Sequence, residues 1–185
     1  MQRRRRGRVG MRAVGIVLAL ATFSTGCAAD ISSPQADPLR TGEGPLEWSG
    51  PYRVTKVIDG DTIRVDKLGE EVTVRIVGID TPEVSGPYTT QECYGPEASA
   101  QGRELLAGRD VWLQTAEGQN PQDRYDRDLA FVFLDDTTDY GRVMLREGYA
   151  RQYETNVAHQ YTAAYRAAQE SAKTAGRGLW SPAAC

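Results

Sequence analysis

Histidine is almost missing from this 185-residue chain, which has His159 and no other. Imidazole-based hydrolase triads and zinc sites of the common His-rich types are therefore excluded. His159 itself, near the start of a C-terminal helix, reads as a capping or surface residue rather than a catalyst. No internal repeat is visible. The apolar run over residues 13–23 is about half of the ~20 residues that a membrane-spanning helix needs. A basic excess is missing too. The formal charge is −3, and without the six arginines among the first 12 residues the chain holds 16 basic against 25 acidic residues, a net −9. Such a chain is not a general nucleic-acid glue, because that role needs a basic field. A polyanionic substrate would have to be held by a local cluster or by bound cations.

What is present begins with an export pattern. Arg3 to Arg6, Arg8 and Arg12 stand ahead of the apolar run, as in a secretory signal, assigned here to residues 1–27. Ser24-Thr25-Gly26-Cys27 resembles a bacterial lipoprotein cleavage site, with Ser24 where such sites usually carry Leu or another aliphatic. Two readings stay open: lipidation of Cys27, which would attach the protein to a membrane, or cleavage nearby, for example after Ala29, which would release it. Setting Cys27 aside leaves Cys93 and Cys185, and an oxidising compartment favours their union as a disulfide. Residues 28–50 are rich in Ser, Pro, Asp and Gly without apolar period and read as a flexible linker. Residues 51–185 fit one domain with enough length for a real core.

The stretch over residues 52–79 has period two. Ile63 and Val65 alternate with Arg64 and Asp66, and Val72, Val74 and Ile76 with Thr73 and Arg75, a three-strand meander. Alternation puts Asp61 on the core face at a strand's beginning and sets Arg75 and Asp80 on opposite faces. A break in the strand at Gly78 would bring them together. A helix is expected from Tyr94-Gly95-Pro96-Glu97 to Gly108, with Leu105 and Leu106 on its buried side. Strands are expected over 111–115 and 129–134, joined by a polar loop with Asp123-Arg124-Tyr125-Asp126-Arg127. A short helix follows over 139–149, then a longer one over 159–175 with Tyr161, Ala164, Tyr165, Ala168 and Ala172 as its apolar stripe. The stripe's tyrosines read as core. Five strands with a helix after the third, plus C-terminal helices, define an α+β chain with a five-stranded OB-fold β-barrel and about three α-helices.

Acids at strand ends beside an arginine are site material. Asp61, Asp80 and Glu83 offer hard oxygen ligands to Ca²⁺ or Mg²⁺ together with a base, and Arg75 faces an anionic substrate. An oxygen-only metal shell agrees with the shortage of histidine and spare cysteine.

These blocks resemble a known family in sequence order. Ile58-Asp59-Gly60-Asp61-Thr62, the run from Arg75 to Glu83, Tyr94-Gly95-Pro96-Glu97, Asp123-Arg124-Tyr125-Asp126-Arg127 and Gly178-Leu179-Trp180-Ser181 are similar to the staphylococcal nuclease (thermonuclease) family over about residues 52–182. The resemblance implies a Ca²⁺-dependent phosphodiesterase that cuts DNA and RNA to 3′-phosphate products; a preference for single strands and a monomeric state are expected beside it. It implies Asp61 and Asp80 as Ca²⁺ ligands with the Thr81 carbonyl, Glu83 as general base or water-orienting group, and Arg75 and Arg127 on the phosphate. Arg124 and Tyr125 would contact substrate, and Tyr153, or else Tyr149, would carry a base. Arg124 replaces a common lysine, and Asp126 stands where the family often has glycine. The alternative, a catalytically silent barrel that binds oligonucleotide or a protein partner, would dispense with these groups. All of Asp61, Arg75, Asp80, Glu83 and Arg127 are present.

Overall fold

Leu68 and Gly69 both adopt positive φ, 62° and 94°, the conformation of a two-residue hairpin turn whose twist matches the strands it joins. The turn links β2 (Thr62–Lys67) to β3 (Glu70–Ile76) in unbroken antiparallel register from Lys67↔Glu70 to Thr62↔Arg75. In this computed structural model, residues 48–185 apart from 87–89 and 155–157 are described. The signal peptide, Cys27 and the linker up to residue 47 lie outside the described residues. The linker reading ends too late, however. Trp48 already opens β1 (Trp48–Val57), paired with β5 (Asp110–Thr115) through Trp48↔Gln114 and Ser49↔Leu113. The register then shifts before Tyr52↔Val111, across Gly50-Pro51, where proline has no N–H for the ladder.

β1, β2, β3, β6 (Asp128–Phe133) and β5 close into a barrel in that order. Closure comes from the parallel pairing of β3 with β6, in which Arg75 stands opposite Leu129. This pairing delivers the end of the Asp123–Arg127 loop beside Arg75. Three helices complete the OB-type α+β architecture: α1 (Gly95–Leu106), α2 (Tyr140–Arg146) and α3 (Thr162–Ala175). Ile63, Val65, Val74, Ile76, Phe131 and Leu113 fill the barrel, while Tyr140, Met144, Leu145 and Tyr165 are buried where α2 and α3 pack. The apolar stripe of α3 is buried at Tyr165, Ala168 and Ala172, with Tyr161 at its N-cap, so these tyrosines are core. α2 is shorter than the expected span, because the chain turns at Gly148 with φ 78°.

Two features depart from expectation. Of the helix α1 pair, Leu106 is buried but Leu105 only half so. His159 is neither exposed nor a simple helix cap. Its ring is buried, with centroids 5.1 Å from Phe131 and 5.3 Å from Tyr165. Its Nδ1 accepts from the Tyr161 amide at 3.2 Å, and burial depresses its pKa to about 4.

Candidate active site

The meander's regular alternation ends at Ile76. Gly78 takes φ 81°, and β4 (Ile79–Asp80) leaves the barrel to pair with a second two-residue strand, β7 (Arg151–Gln152). Positive φ favours glycine, and here space demands it as well. A Cβ on Gly78 would stand 2.8 Å from both His159 Nε2 and Tyr165 Cε2. The break resets the parity, so Asp61, Arg75 and Asp80 meet at one end of the barrel.

Arg75 is held on three sides. Its Nε lies 3.3 Å from Asp61 Oδ1, and Nη1 donates to the carbonyls of Ile76 at 2.7 Å and Ile79 at 2.9 Å. Nη2 is left toward Asp80 Oδ1, at 3.4 Å. The kink at Gly78 thus turns two carbonyls inward to orient the guanidinium. Asp61, 6% exposed, is pinned through its other oxygen, which accepts from the Thr81 amide at 2.8 Å and hydroxyl at 3.2 Å. Its turn is fixed from below by the buried Tyr140, whose hydroxyl donates to the Gly60 carbonyl at 2.7 Å.

Asp80 and Glu83 remain more open. Desolvation, then the Asp61 charge, raises the pKa of each. Asp59 is pushed to about 6 by the same two causes. The Asp61 charge thus crowds its carboxylate neighbours in a way that a bound cation would relieve, and every donor is a hard oxygen. Among the described residues no three acidic, His or Cys side chains form a ready-made metal cage.

Arg127 reaches the same place from the β5–β6 loop. A cleft of about 340 Å³ is lined by Arg75, Asp80, Asp123, Arg127 and Tyr153 among others. Asp123 shapes the loop. Its Oδ1 accepts from the amides of Tyr125 and Arg127, and its Oδ2 takes Nε and Nη2 of Arg127, each at 2.7 Å. Asp126 adopts φ 59°, so the left-handed conformation expected of glycine is retained with an aspartate, a residue that tolerates it better than most. Tyr125 is exposed, its ring centroid 4.8 Å from the Arg124 guanidinium and 5.5 Å from that of Arg127. Neither Arg124 nor Tyr125 lines the cleft itself. Tyr153 does, held by its amide to the Gly78 carbonyl at 3.0 Å, whereas Tyr149 packs on Tyr94 with ring centroids 5.7 Å apart.

Two residues with no sequence signal join the site. Arg151 is the cross-strand partner of Asp80. Glu92 bonds both the amide and the carbonyl of Glu83. Beside it, Cys93 and Cys185 form a disulfide with Cα atoms 5.9 Å apart.

A closed five-stranded barrel bearing carboxylates and paired arginines at one mouth defines a phosphodiester hydrolase of the OB-barrel class. A profile of the family described as staphylococcal nuclease homologue matches residues 73–182. The chain is 34% identical to a thermonuclease of Staphylococcus hyicus over 76% of its length and 86% of that protein's. It is likewise 34% identical to a thermonuclease of Staphylococcus intermedius, over 75% and 84% of the two lengths. Against Endonuclease YncB of Bacillus subtilis the figures are 35% identity, 68% of this chain and 59% of the relative. The chain belongs to the staphylococcal nuclease family.

Proposed function

We propose that this protein is an exported, Ca²⁺-dependent nuclease that hydrolyses phosphodiester bonds of DNA and RNA and leaves 3′-phosphate ends. The observation that carries the proposal is the fixed posture of Arg75. Its Nε and Nη1 are engaged by Asp61 and two carbonyls, and its Nη2 faces Asp80, which lines with Arg75 the cleft that Arg127 also lines.

In this reading a single-stranded segment lies in the cleft with its scissile phosphate between Arg75 and Arg127. Attack by water builds negative charge on the equatorial phosphate oxygens. The two guanidinium groups, always protonated, stabilise that charge more than they stabilise the ground state. Glu83 accepts a proton from the attacking water, or orients it. Its raised pKa makes it a better base than a free carboxylate. The bond from phosphorus to the 5′ oxygen breaks, that oxygen takes up a proton, and the 3′ side keeps the phosphate. Asp61, Asp80 and the Thr81 carbonyl would hold Ca²⁺, which supplies Lewis-acid polarisation of phosphate and water. Tyr153 in the cleft and Tyr125 on Arg127 offer faces on which bases stack without sequence preference. Export agrees with the basic, apolar N-terminal pattern and with the Cys93–Cys185 disulfide, a bond at home in oxidising compartments.

The test is incubation of the purified protein with single-stranded DNA in Ca²⁺ or in chelator, beside Glu83→Gln and Arg127→Ala. Cleavage should need Ca²⁺ and drop by about 10² to 10⁴ in either variant. Products should carry a phosphate removable by phosphatase at the 3′ end. Undiminished cleavage in chelator, or in both variants, would refute the mechanism.

A further inference from the structure

We infer that Arg151 is a further substrate-binding residue, gripping a phosphate adjacent to the one held by Arg75 and Arg127. The inference rests on the nuclease reading above and extends it to how an acidic protein holds a polyanion. β7 runs antiparallel to β4 with Asp80 opposite Arg151, and directly opposed residues project to the same face of a sheet. Both are exposed, whereas their neighbours Ile79 and Gln152 are buried or half-buried. Tyr153, two residues beyond Arg151, returns to that face by alternation and lines the cleft together with Asp80. One face of this small ribbon therefore carries Asp80, Arg151 and Tyr153, of which Asp80 and Tyr153 line the cleft and Arg151 stands between them outside its lining.

The charge of Arg151 acts on Asp80 across the ribbon, where it works to lower that carboxyl's pKa, but no close ion pair ties it down. Many cations of this chain are neutralised in ion pairs, as in Arg53–Asp110, Arg64–Glu71 and Arg166–Glu154. Arg151 makes no ion pair and its side chain no hydrogen bond among the described residues. Its one aromatic neighbour, Trp180, lies 5.9 Å from the guanidinium, at the outer limit of a cation–π contact. A net charge of −9 beyond the basic N-terminus repels nucleic acid at long range, so each free cation beside the cleft weighs heavily on affinity. An exposed arginine with all its donors available forms charge-assisted hydrogen bonds to phosphate oxygens.

The experiment compares wild type, Arg151→Ala and Arg151→Lys on a single-stranded oligodeoxynucleotide and on a substrate with a single phosphodiester, across a range of salt at fixed Ca²⁺. Fluorescence anisotropy of the oligonucleotide follows binding alongside cleavage. Arg151→Ala should lose about tenfold in kcat/KM on the oligonucleotide, the loss of a hydrogen bond to a charged group, and markedly less on the small substrate. The slope of log affinity against log salt should shallow by about 0.7, one phosphate contact on a single strand. Arg151→Lys should restore that slope, since it keeps the charge. An unchanged slope in Arg151→Ala, or equal losses on both substrates, would overturn the assignment in favour of a packing role against Trp180. Failure of the wild type to cleave would instead strike the nuclease reading, while the anisotropy slopes would still decide whether Arg151 holds a phosphate.

Discussion

Glu92 holds Glu83 on both sides of its backbone: the Glu92 amide donates to the Glu83 carbonyl at 2.9 Å, and the Glu92 carboxylate accepts from the Glu83 amide at 3.3 Å. Gly95 closes the grip, since a Cβ there would collide with the Glu83 carbonyl oxygen. The segment carrying the proposed base is thus fastened to the start of α1. Glu92→Ala should therefore lower kcat by on the order of tenfold to a hundredfold, the scale of a small misplacement of a catalytic group, with KM little changed. Glu92→Gln keeps an acceptor and should lose much less. Equal kcat in wild type and Glu92→Ala, measured under saturating substrate, would show that Glu83 needs no such support.

The disulfide lies one residue further on and ties the same corner to the end of the chain, across a sequence separation of 92. Closing so long a loop restricts the unfolded ensemble. In the chain-entropy model the gain is roughly 4 to 5 kcal/mol as an upper figure, and removal of a native disulfide typically costs about 2 to 5. The Cys93→Ser/Cys185→Ser protein should unfold in urea with ΔG lower by ~2 to 4 kcal/mol. Its activity at low temperature, where it remains folded, should fall in the same sense as that of Glu92→Ala. A free-thiol assay on denatured, unreduced wild type should find neither cysteine reactive.

Gly78 is where fold and site constrain the same atom. Alanine there would meet an unfavourable φ of 81° and contacts of 2.8 Å to His159 and Tyr165. Strain and overpacking together should cost about 2 to 4 kcal/mol. Movement of the kink also displaces the Ile79 carbonyl from Arg75, so specific activity of the folded fraction should fall as well. Gly69, exposed in its hairpin turn with open space where a Cβ would stand, is the control. Alanine there should cost stability through φ alone and leave kcat untouched.

Alternation makes much of this legible in advance. Asp61 on the core face, Ile63 and Val65 behind it, and the need for a break at Gly78 all follow from period two over regular strands. The barrel is legible for the same reason, because its strands run from six to ten residues. β4 and β7 have two residues each and so no period to read, and Arg151 is hidden with them. Glu92 looks like any polar loop residue, since its role depends on a backbone contact nine positions away. His159 misleads because a lone histidine near a helix start usually faces water. Its burial is dictated by Phe131, from a strand far earlier in the chain.

That buried histidine makes an acid-sensitivity prediction whose sign is opposed by Asp139. Burial lowers the folded-state pKa of His159 from 6.5 to about 4, with Glu154 acting weakly the other way. Between those pH values the unfolded chain binds a proton that the native one does not, so this residue's contribution to stability is lost as pH falls from about 6.5 toward 4. Asp139, buried and accepting from Tyr165 at 2.9 Å, is raised from 3.8 to about 6, chiefly by desolvation. Here the native state holds the extra proton, so stability is lost as pH rises from about 4 to 6. Each effect is on the order of 3 kcal/mol, so together they nearly cancel. Urea unfolding of His159→Leu from pH 4 to 7 should therefore reveal the Asp139 trend, with stability rising on acidification relative to wild type. Asp139→Asn, which keeps the helix cap, should show the reverse, a steeper acid loss than wild type. Parallel pH profiles for the three proteins would mean that neither group titrates differently in the folded and unfolded states.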